Sequence, residues 1–390
     1  MDFNRDWKNQ IEGHTMASND IYEKIAETFE FPGSKNLIKY LKVLFKPEEG
    51  KLLLEFLKPA TCSEVAKRLK VDEKVLSEKL ADLKRRRLLF HKYDKYLFHM
   101  AMHGFFARIA KAKKEDIPDG FWKAWDDFMP EVEKQMITRS IKVAKQVPVS
   151  GVMTRIIPAR LALDSNPNIK PEEILPEEDV HALLRMKGSQ EVIAVSDCDC
   201  RIRAHKCDRP TLNCFEFGKY AEFNLNQSSS LKVVSVEEAI AISDEAERAG
   251  LLKSGGIRKE NGGVLCHCCD DCCNVMGATI RYGVAHQLRN PSRYRARVNS
   301  ESCKGCQKCV DRCFFGAIEM VKVPGSKRLK ASLNEEKCMG CGLCVIGCEQ
   351  KALIFDLAKP PEYLAIDREE SAAPFWDGKG PAWGPFTTAP

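Results

Sequence analysis

The sequence predicts an α+β chain of several domains. Three observations lead there: helical spacing of apolar residues through the first third, short β-branched segments between Pro and Gly in the middle, and a repeated cysteine run near the end. At 390 residues the chain is long enough for two to four cores. A hydrophobic share of 44% with a charged share of 30% is that of a globular protein. No apolar run reaches bilayer-spanning length and the start MDFNRDWKNQ carries no apolar leader, so a cytoplasmic location without a membrane span is expected. Eighteen cysteines at metal-ligand spacings point to a reducing compartment and to metal rather than disulfides. So many metal sites also point to an anaerobic or low-oxygen setting. The net charge of +6 suits an acidic partner or nucleic acid, and more commonly is only a solvated surface.

Residues 1–147 read as mostly helical. Ile21, Ile25 and Phe29 predict an amphipathic helix over 19–30, and a second follows over 36–45, with Pro32-Gly33 and Pro47 as punctuation. Leu52, Leu53, Phe56 and Leu57 then mark an apolar helix. Thr61 or Ser63 is a candidate cap for a helix over 64–69, and Val71-Asp72 leads into another over 73–87. Two short apolar segments, 88–91 and 96–100, are joined at Tyr93-Asp94-Lys95 as in a hairpin.

The segment 48–100 therefore resembles a winged helix-turn-helix. That resemblance implies a helix over 73–87 suited to the major groove. Its leading positions Glu73, Lys74, Ser77 and Glu78 mix signs, and the basic run Lys84 to Arg87 lies at the far end, where cations also suit the macrodipole. Docking or scaffolding is the expected role, with DNA binding the alternative. Cys62 is expected to be a small buried residue.

The aromatic stripe Phe105, Phe106, Ile109, Phe121, Trp122, Trp125, Phe128 and Met129 is expected to be core, with breaks at Pro118-Asp119-Gly120 and at Pro130. In residues 148–293, β-branched residues run to Ile157, prolines at 158, 167, 171 and 176 follow, a helix is expected over 177–186 and a buried strand over 191–195. That strand delivers Cys198-Asp-Cys200-Arg201, whose cysteines share a side in extended chain. Cys207 and Cys214 come next, then a helix over 237–252, glycine pairs flanking a loop, and the octet Cys266-His267-Cys268-Cys269-Asp270-Asp271-Cys272-Cys273.

On a helix, Cys266, Cys269 and Cys273 would project together and Cys268 and Cys272 on another side, shared between two metal sites. The nine cysteines Cys198, Cys200, Cys207, Cys214, Cys266, Cys268, Cys269, Cys272 and Cys273 suffice for one or two further clusters. Zinc is the competing metal there. His267 is expected to be a hydrogen-bonding or packed neighbour, and Arg201 a donor to sulfide or a salt-bridge partner.

Residues 294–358 hold Cys303-x2-Cys306-x2-Cys309-x3-Cys313 and Cys338-x2-Cys341-x2-Cys344-x3-Cys348. In this spacing three thiolates of a run hold one [4Fe-4S] cube and the fourth crosses to the other. Cluster 1 is then expected on Cys303, Cys306, Cys309 and Cys348, and cluster 2 on Cys338, Cys341, Cys344 and Cys313. Zinc would leave the third and fourth cysteines of each run without use. The pair resembles bacterial-type two-cluster ferredoxins, with Gly305 and Gly340 where loops pass close to sulfide. Phe314 and Glu349 stand where such ferredoxins usually carry proline. Ala317-Ile318 and Ala352-Leu353 match across an expected pseudo-twofold, with a hairpin joining the halves over 322–337. Residues 359–390 are expected to form an extended arm.

Residues 150–358 as a whole resemble multi-cluster iron–sulfur proteins with a Cys-x-Cys-Arg segment, Glu237-Glu238-Ala239 and Ala249-Gly250-Leu251 in a helix, and a cysteine-rich octet. Asp271 departs from the sixth cysteine expected of that octet. The resemblance implies a single-electron carrier serving a redox enzyme subunit or another donor or acceptor protein. The alternatives are a redox-responsive DNA-binding regulator and a reductase using a middle-module cluster as its catalytic site. No nucleotide-binding fingerprint is present, so flavin, NAD and nucleotide are not expected.

Overall fold

The computed structural model describes residues 20–92, 94–98, 109–110, 112–144, 154–225, 231–255 and 263–364. The chain divides into two compact units, with the boundary after Val132. The arm beyond 364, the loop 256–262 and the aromatics Phe105 and Phe106 lie outside the described residues.

The first unit contains α1 (Asp20–Thr28), α2 (Lys35–Leu44), α3 (Pro47–Leu54), β1 (Ala60–Thr61), α4 (Cys62–Leu69), α5 (Glu73–Arg85), β2 (Phe90–Lys92), β3 (Lys95–Leu97) and the start of α6 (Phe121–Ala144). Local chemistry sets its boundaries. Ser34, Thr61 and Asp72 each accept a backbone N–H of the following helix, and Thr61 forms a reciprocal box with Glu64. Such caps contribute about 1 kcal/mol apiece. The strands form a small antiparallel sheet in the order β1-β3-β2. The helix–helix–hairpin order expected over 48–100 is present, extended by β1.

Helical spacing brings Ile25, Leu41, Leu53, Leu80, Trp125 and Phe128 into one buried core. Pro130 does not break the chain as expected. It sits inside α6, where the buried Phe128, Met129 and Val132 pack around the site and outweigh a penalty of about 3 kcal/mol. Cys62 is half-buried rather than buried, because it opens α4 and its Sγ turns toward the Glu73 carbonyl.

The second unit comprises β4 (Thr154–Ile157), α7 (Arg160–Asp164), α8 (Val180–Gln190), β5 (Ile193–Asp197), α9 (Asp199–Ala204), β6 (Leu212–Phe217), α10 (Gly218–Leu225), β7 (Lys232–Val233), α11 (Val236–Arg248), β8 (Leu252–Gly255), β9 (Val264–Cys268), α12 (Met276–Arg281), α13 (Ala285–Leu288) and β10 (Arg289–Asn290). It continues with β11 (Tyr294–Val298), α14 (Lys308–Asp311), β12 (Ile318–Val321), β13 (Lys330–Leu333), α15 (Leu343–Ile346) and β14 (Leu353–Leu357). Seven strands form one sheet, ordered β10-β4-β8-β9-β6-β5-β7, parallel at β10/β4 and antiparallel elsewhere.

Strand alternation gives that sheet two different faces. Ile157, Val195, Phe215 and Leu265 pack with Leu184 of α8 and Ala239 of α11. Ile156, Leu252 and Cys268 point the other way and share a core with Met276, Phe314, Met339 and Leu343. The middle and C-terminal cysteine segments thus lie in one compact unit. Backbone bonds run between them too, Ala159 N–H to the Cys341 carbonyl at 2.9 Å and Ser292 N–H to that of Met339 at 3.1 Å. The last strands pair as β11/β14 and β12/β13, the latter being the expected hairpin.

Candidate metal centres

In the C-terminal segment, each cysteine run makes a loop that ends in a one-turn helix, α14 or α15. Each such helix begins at a residue with left-handed backbone, Gln307 or Gly342. Gly305 and Gly340 also have positive φ, 74° and 65°. A Cβ at Gly305 would come within 2.5 Å of the Leu329 carbonyl oxygen, and one at Gly340 would collide with that of Tyr294. The loops are thus held tight against the strands, and their thiols turn inward.

Two small cavities result. Cys313, Cys338, Cys341 and Cys344 line the first, Cys303, Cys306, Cys309 and Cys348 the second. The last cysteine of each run therefore faces the other run's trio. The two halves repeat their hydrogen bonds, with Ala317 N–H donating to Cys313 Sγ at 3.2 Å and Ala352 N–H to Cys348 Sγ at 3.3 Å. Burial raises the thiol pKa of Cys309 to about 11 and of Cys341 to about 12, and holds Cys344 protonated well above the ordinary range. Only a cation, or a cluster replacing those protons, turns such groups into thiolates at neutral pH. Four soft donors around a mostly apolar space fit a [4Fe-4S] group.

The two residues in the usual proline positions differ from each other. Phe314 is buried in the core beside the sheet, whereas Glu349 is exposed and pairs with Lys308 at 2.5 Å. Cys306 is the one exposed cysteine among the described residues, and the side chains around it, Lys304, Gln307 and Lys308, are exposed too.

In the middle segment two expectations are corrected. Cys198 and Cys200 do not lie in extended chain: Cys198 is the residue before α9 and Cys200 lies in its first turn. A hydrogen bond still joins them. The octet is not a helix either. Cys266 and Cys268 belong to β9, and the remainder is a turn, because β9 is held by ladders with β6 and β8. The cysteines therefore group differently from the helical expectation.

Cys214 stands opposite Cys266 in the β6/β9 register. Cys268 bonds to Cys266 and lies 3.5 Å from Cys273, sulfur to sulfur, and Cys200 bonds to Cys273 as well. Cys198, Cys200, Cys214, Cys266, Cys268 and Cys273 thus gather at one end of the sheet. Cys207, Cys269 and Cys272 form a second gathering together with Asp271, which sequence reasoning treated only as a departure.

Each gathering is served by a buried arginine. Arg289 lies beside Cys273, Cys268 and Cys266, bonds to Thr154 Oγ1 and the Val275 carbonyl, and keeps an unpartnered Nε. Arg201 donates to the carbonyls of Pro210 and His267, to Asn213 Oδ1, and to Cys269 Sγ at 3.7 Å. Its partners are amide oxygens and a thiol rather than a carboxylate. Burial opposes its charge, but Cys198, Cys269 and Cys207 outweigh that and raise its pKa. Two buried cations facing thiols fit anionic metal centres. Arg289 carries no sequence signal, since the cysteines it serves lie more than a dozen residues away.

His267 is not free to ligate. Nδ1 lies 3.0 Å from the Asn213 carbonyl and Nε2 3.0 Å from Ser243 Oγ, and burial lowers its pKa to about 3. It is a packed, neutral neighbour, as expected.

Residues 302–352 match the family model of the 4Fe-4S dicluster domain. No curated protein and no solved structure matches the chain. The C-terminal segment is therefore an iron–sulfur domain of the ferredoxin, electron-transferring kind. No helix among the described residues is long and apolar enough to cross a membrane.

Proposed function

We propose that the chain is an electron-transfer protein that passes single electrons along several [4Fe-4S] clusters to or from a redox enzyme partner. The decisive observation is that two four-thiol cavities coincide with the dicluster match. Cys303, Cys306, Cys309 and Cys348 hold the first cluster, and Cys338, Cys341, Cys344 and Cys313 the second. Four of the six middle cysteines hold a third, of which Cys268 and Cys273 are not both members, since their sulfurs lie only 3.5 Å apart. Bound there, each cluster supplies one-electron redox chemistry.

The chain's own groups orient and tune these sites. The N–H groups of Ala317, Ala331 and Ala352 donate to ligand sulfurs and favour the more reduced, more anionic state. Phe314, Met339 and Leu343 exclude water between the third site and the second. The exposed edge at Cys306, with Lys304 and Lys308, is the docking face for an acidic partner surface.

The basic run at the C-terminal end of α5 supports a carrier over a DNA-binding regulator. Arg85 is engaged by Asp82 and Asp116, Arg86 by Glu49 and Asp82, and Arg87 is buried.

The test is Cys348→Ser in the anaerobically purified chain. Electron paramagnetic resonance should show an altered first cluster, although its other three ligands lie about forty residues earlier in sequence, with the second unchanged. If only the second cluster responds, the crossed assignment is wrong.

A further inference from the structure

Asp271 does not merely occupy the place of a missing cysteine. Its carboxylate and the sulfurs of Cys207, Cys269 and Cys272 all lie within 4.8 Å of one another. Two distant segments meet there: Cys207 follows α9, and the other three belong to the turn after β9. Cys207 Sγ and Cys272 Sγ are 3.7 Å apart. A tetrahedral ion with metal–sulfur bonds of about 2.3 Å places its sulfurs about 3.8 Å from each other. A four-iron cube instead interposes its own metal–metal edge between any two thiolates and holds them further apart. The ferredoxin quartets show that wider arrangement. Among the described residues the Asp271 group alone brings its ligand atoms all within 4.8 Å of one another.

We infer that Cys207, Cys269, Asp271 and Cys272 form a mononuclear site for a divalent ion of the zinc type, separate from any cluster. Three thiolates exclude a calcium- or magnesium-like occupant, which takes oxygen ligands, and three sulfurs with one carboxylate suit a borderline-soft tetrahedral ion. The surroundings are those of a held ligand set. Asp271 Oδ1 accepts the Cys272 N–H at 2.7 Å, Arg209 reaches Asp271 Oδ2 at 3.4 Å, and Arg201 donates to Cys269 Sγ. Three thiolates, one carboxylate and a divalent ion leave a charge of about −2, which the two arginines balance.

The ion closes a clamp between the segment after α9 and the end of β9, next to the six-cysteine group. It has no redox role, and it leaves six cysteines for the third cluster. The inference rests on the proposed function only in giving the middle cysteines to metal.

The experiment is metal analysis of the full chain, purified anaerobically from zinc-replete cells, with X-ray absorption at the zinc edge. The expected result is one zinc per chain beside roughly twelve irons, with a shell of three sulfurs at about 2.3 Å and one oxygen near 2.0 Å. Asp271→Ala and Cys272→Ser should lose that zinc and keep the iron. Should either fail to fold, Asp271→Cys serves in its place, retaining zinc and converting the shell to four sulfurs. About sixteen irons without zinc would overturn the inference, as would zinc that stays in both loss variants. One clamped zinc with only about eight irons would sustain the inference while defeating the third cluster.

Discussion

Replacing Gly340 by alanine tests how the second cluster's loop is held. Gly340 has φ of 65°, so any L-residue there costs about 1 kcal/mol in backbone strain. The new Cβ would also overlap the Tyr294 carbonyl oxygen and Ser292 Oγ. Neither obstacle is the end of a flexible chain. Tyr294 belongs to β11, and Ser292 Oγ already donates to the Gly340 carbonyl at 2.5 Å and accepts the Tyr294 N–H. Relief must come from the loop carrying Cys338 and Cys341, at an overpacking cost of about 2 kcal/mol. Gly325→Ala is the matched control: φ is 79°, but nothing lies within 4 Å of its Cβ. The first variant should therefore lose about 3 kcal/mol and the second about 1, a roughly thirtyfold difference in equilibrium. Anaerobic guanidinium unfolding and iron analysis read both, and Gly340→Ala should also shed roughly four irons. Equal stability and iron content in the two variants would refute the close-approach argument.

Two further outcomes concern the first unit. Burial opposes ionisation of Glu49, yet Arg86, Lys79 and the Lys46 N–H together hold its pKa below the ordinary 4.5. The unfolded chain thus binds the proton more readily, so this stabilisation is present above pH 4.5 and is lost as pH falls through the folded value. Glu49→Gln should cost about 2 kcal/mol at pH 7 and flatten the acid limb of tryptophan-monitored unfolding; an unchanged acid curve would count against the pairing. With Arg85 and Arg86 of the basic run engaged by acids and Glu73 and Glu78 exposed at the start of α5, the full chain should bind duplex DNA no tighter than about 10 μM at physiological salt, and tight sequence-selective binding would favour the regulator.

What could be read from sequence was local. Thr61 with Glu64, and Ser235 with Glu238, announce helix starts because their hydrogen bonds close within three residues. The ferredoxin runs are legible for the same reason, since each loop supplies three of its own inward thiols. Pro130 was misread because a propensity cannot anticipate the packing that overrides it. The octet was misread because its conformation is imposed from outside. Cys266 is drawn into a strand by Cys214, fifty-two residues earlier, and that register decides which sulfur meets which. The role of Asp271 was hidden with it, because its partner Cys207 arrives from beyond the octet.

Cys268 and Cys273 bracket Cys269 and Cys272, so one short turn carries the outer pair of one gathering around the inner pair of another. Such nesting constrains the length of the segment as well as its ligands. Exchanging Asp270, which is partly exposed and meets Arg209 only at 4.0 Å, changes one charge. Inserting a residue between Cys269 and Cys272 spreads the inner pair and in the same stroke swings Cys273 away from Cys268. Both centres would fail together, so across descendants of this chain the turn should vary at Asp270 and refuse insertions or deletions.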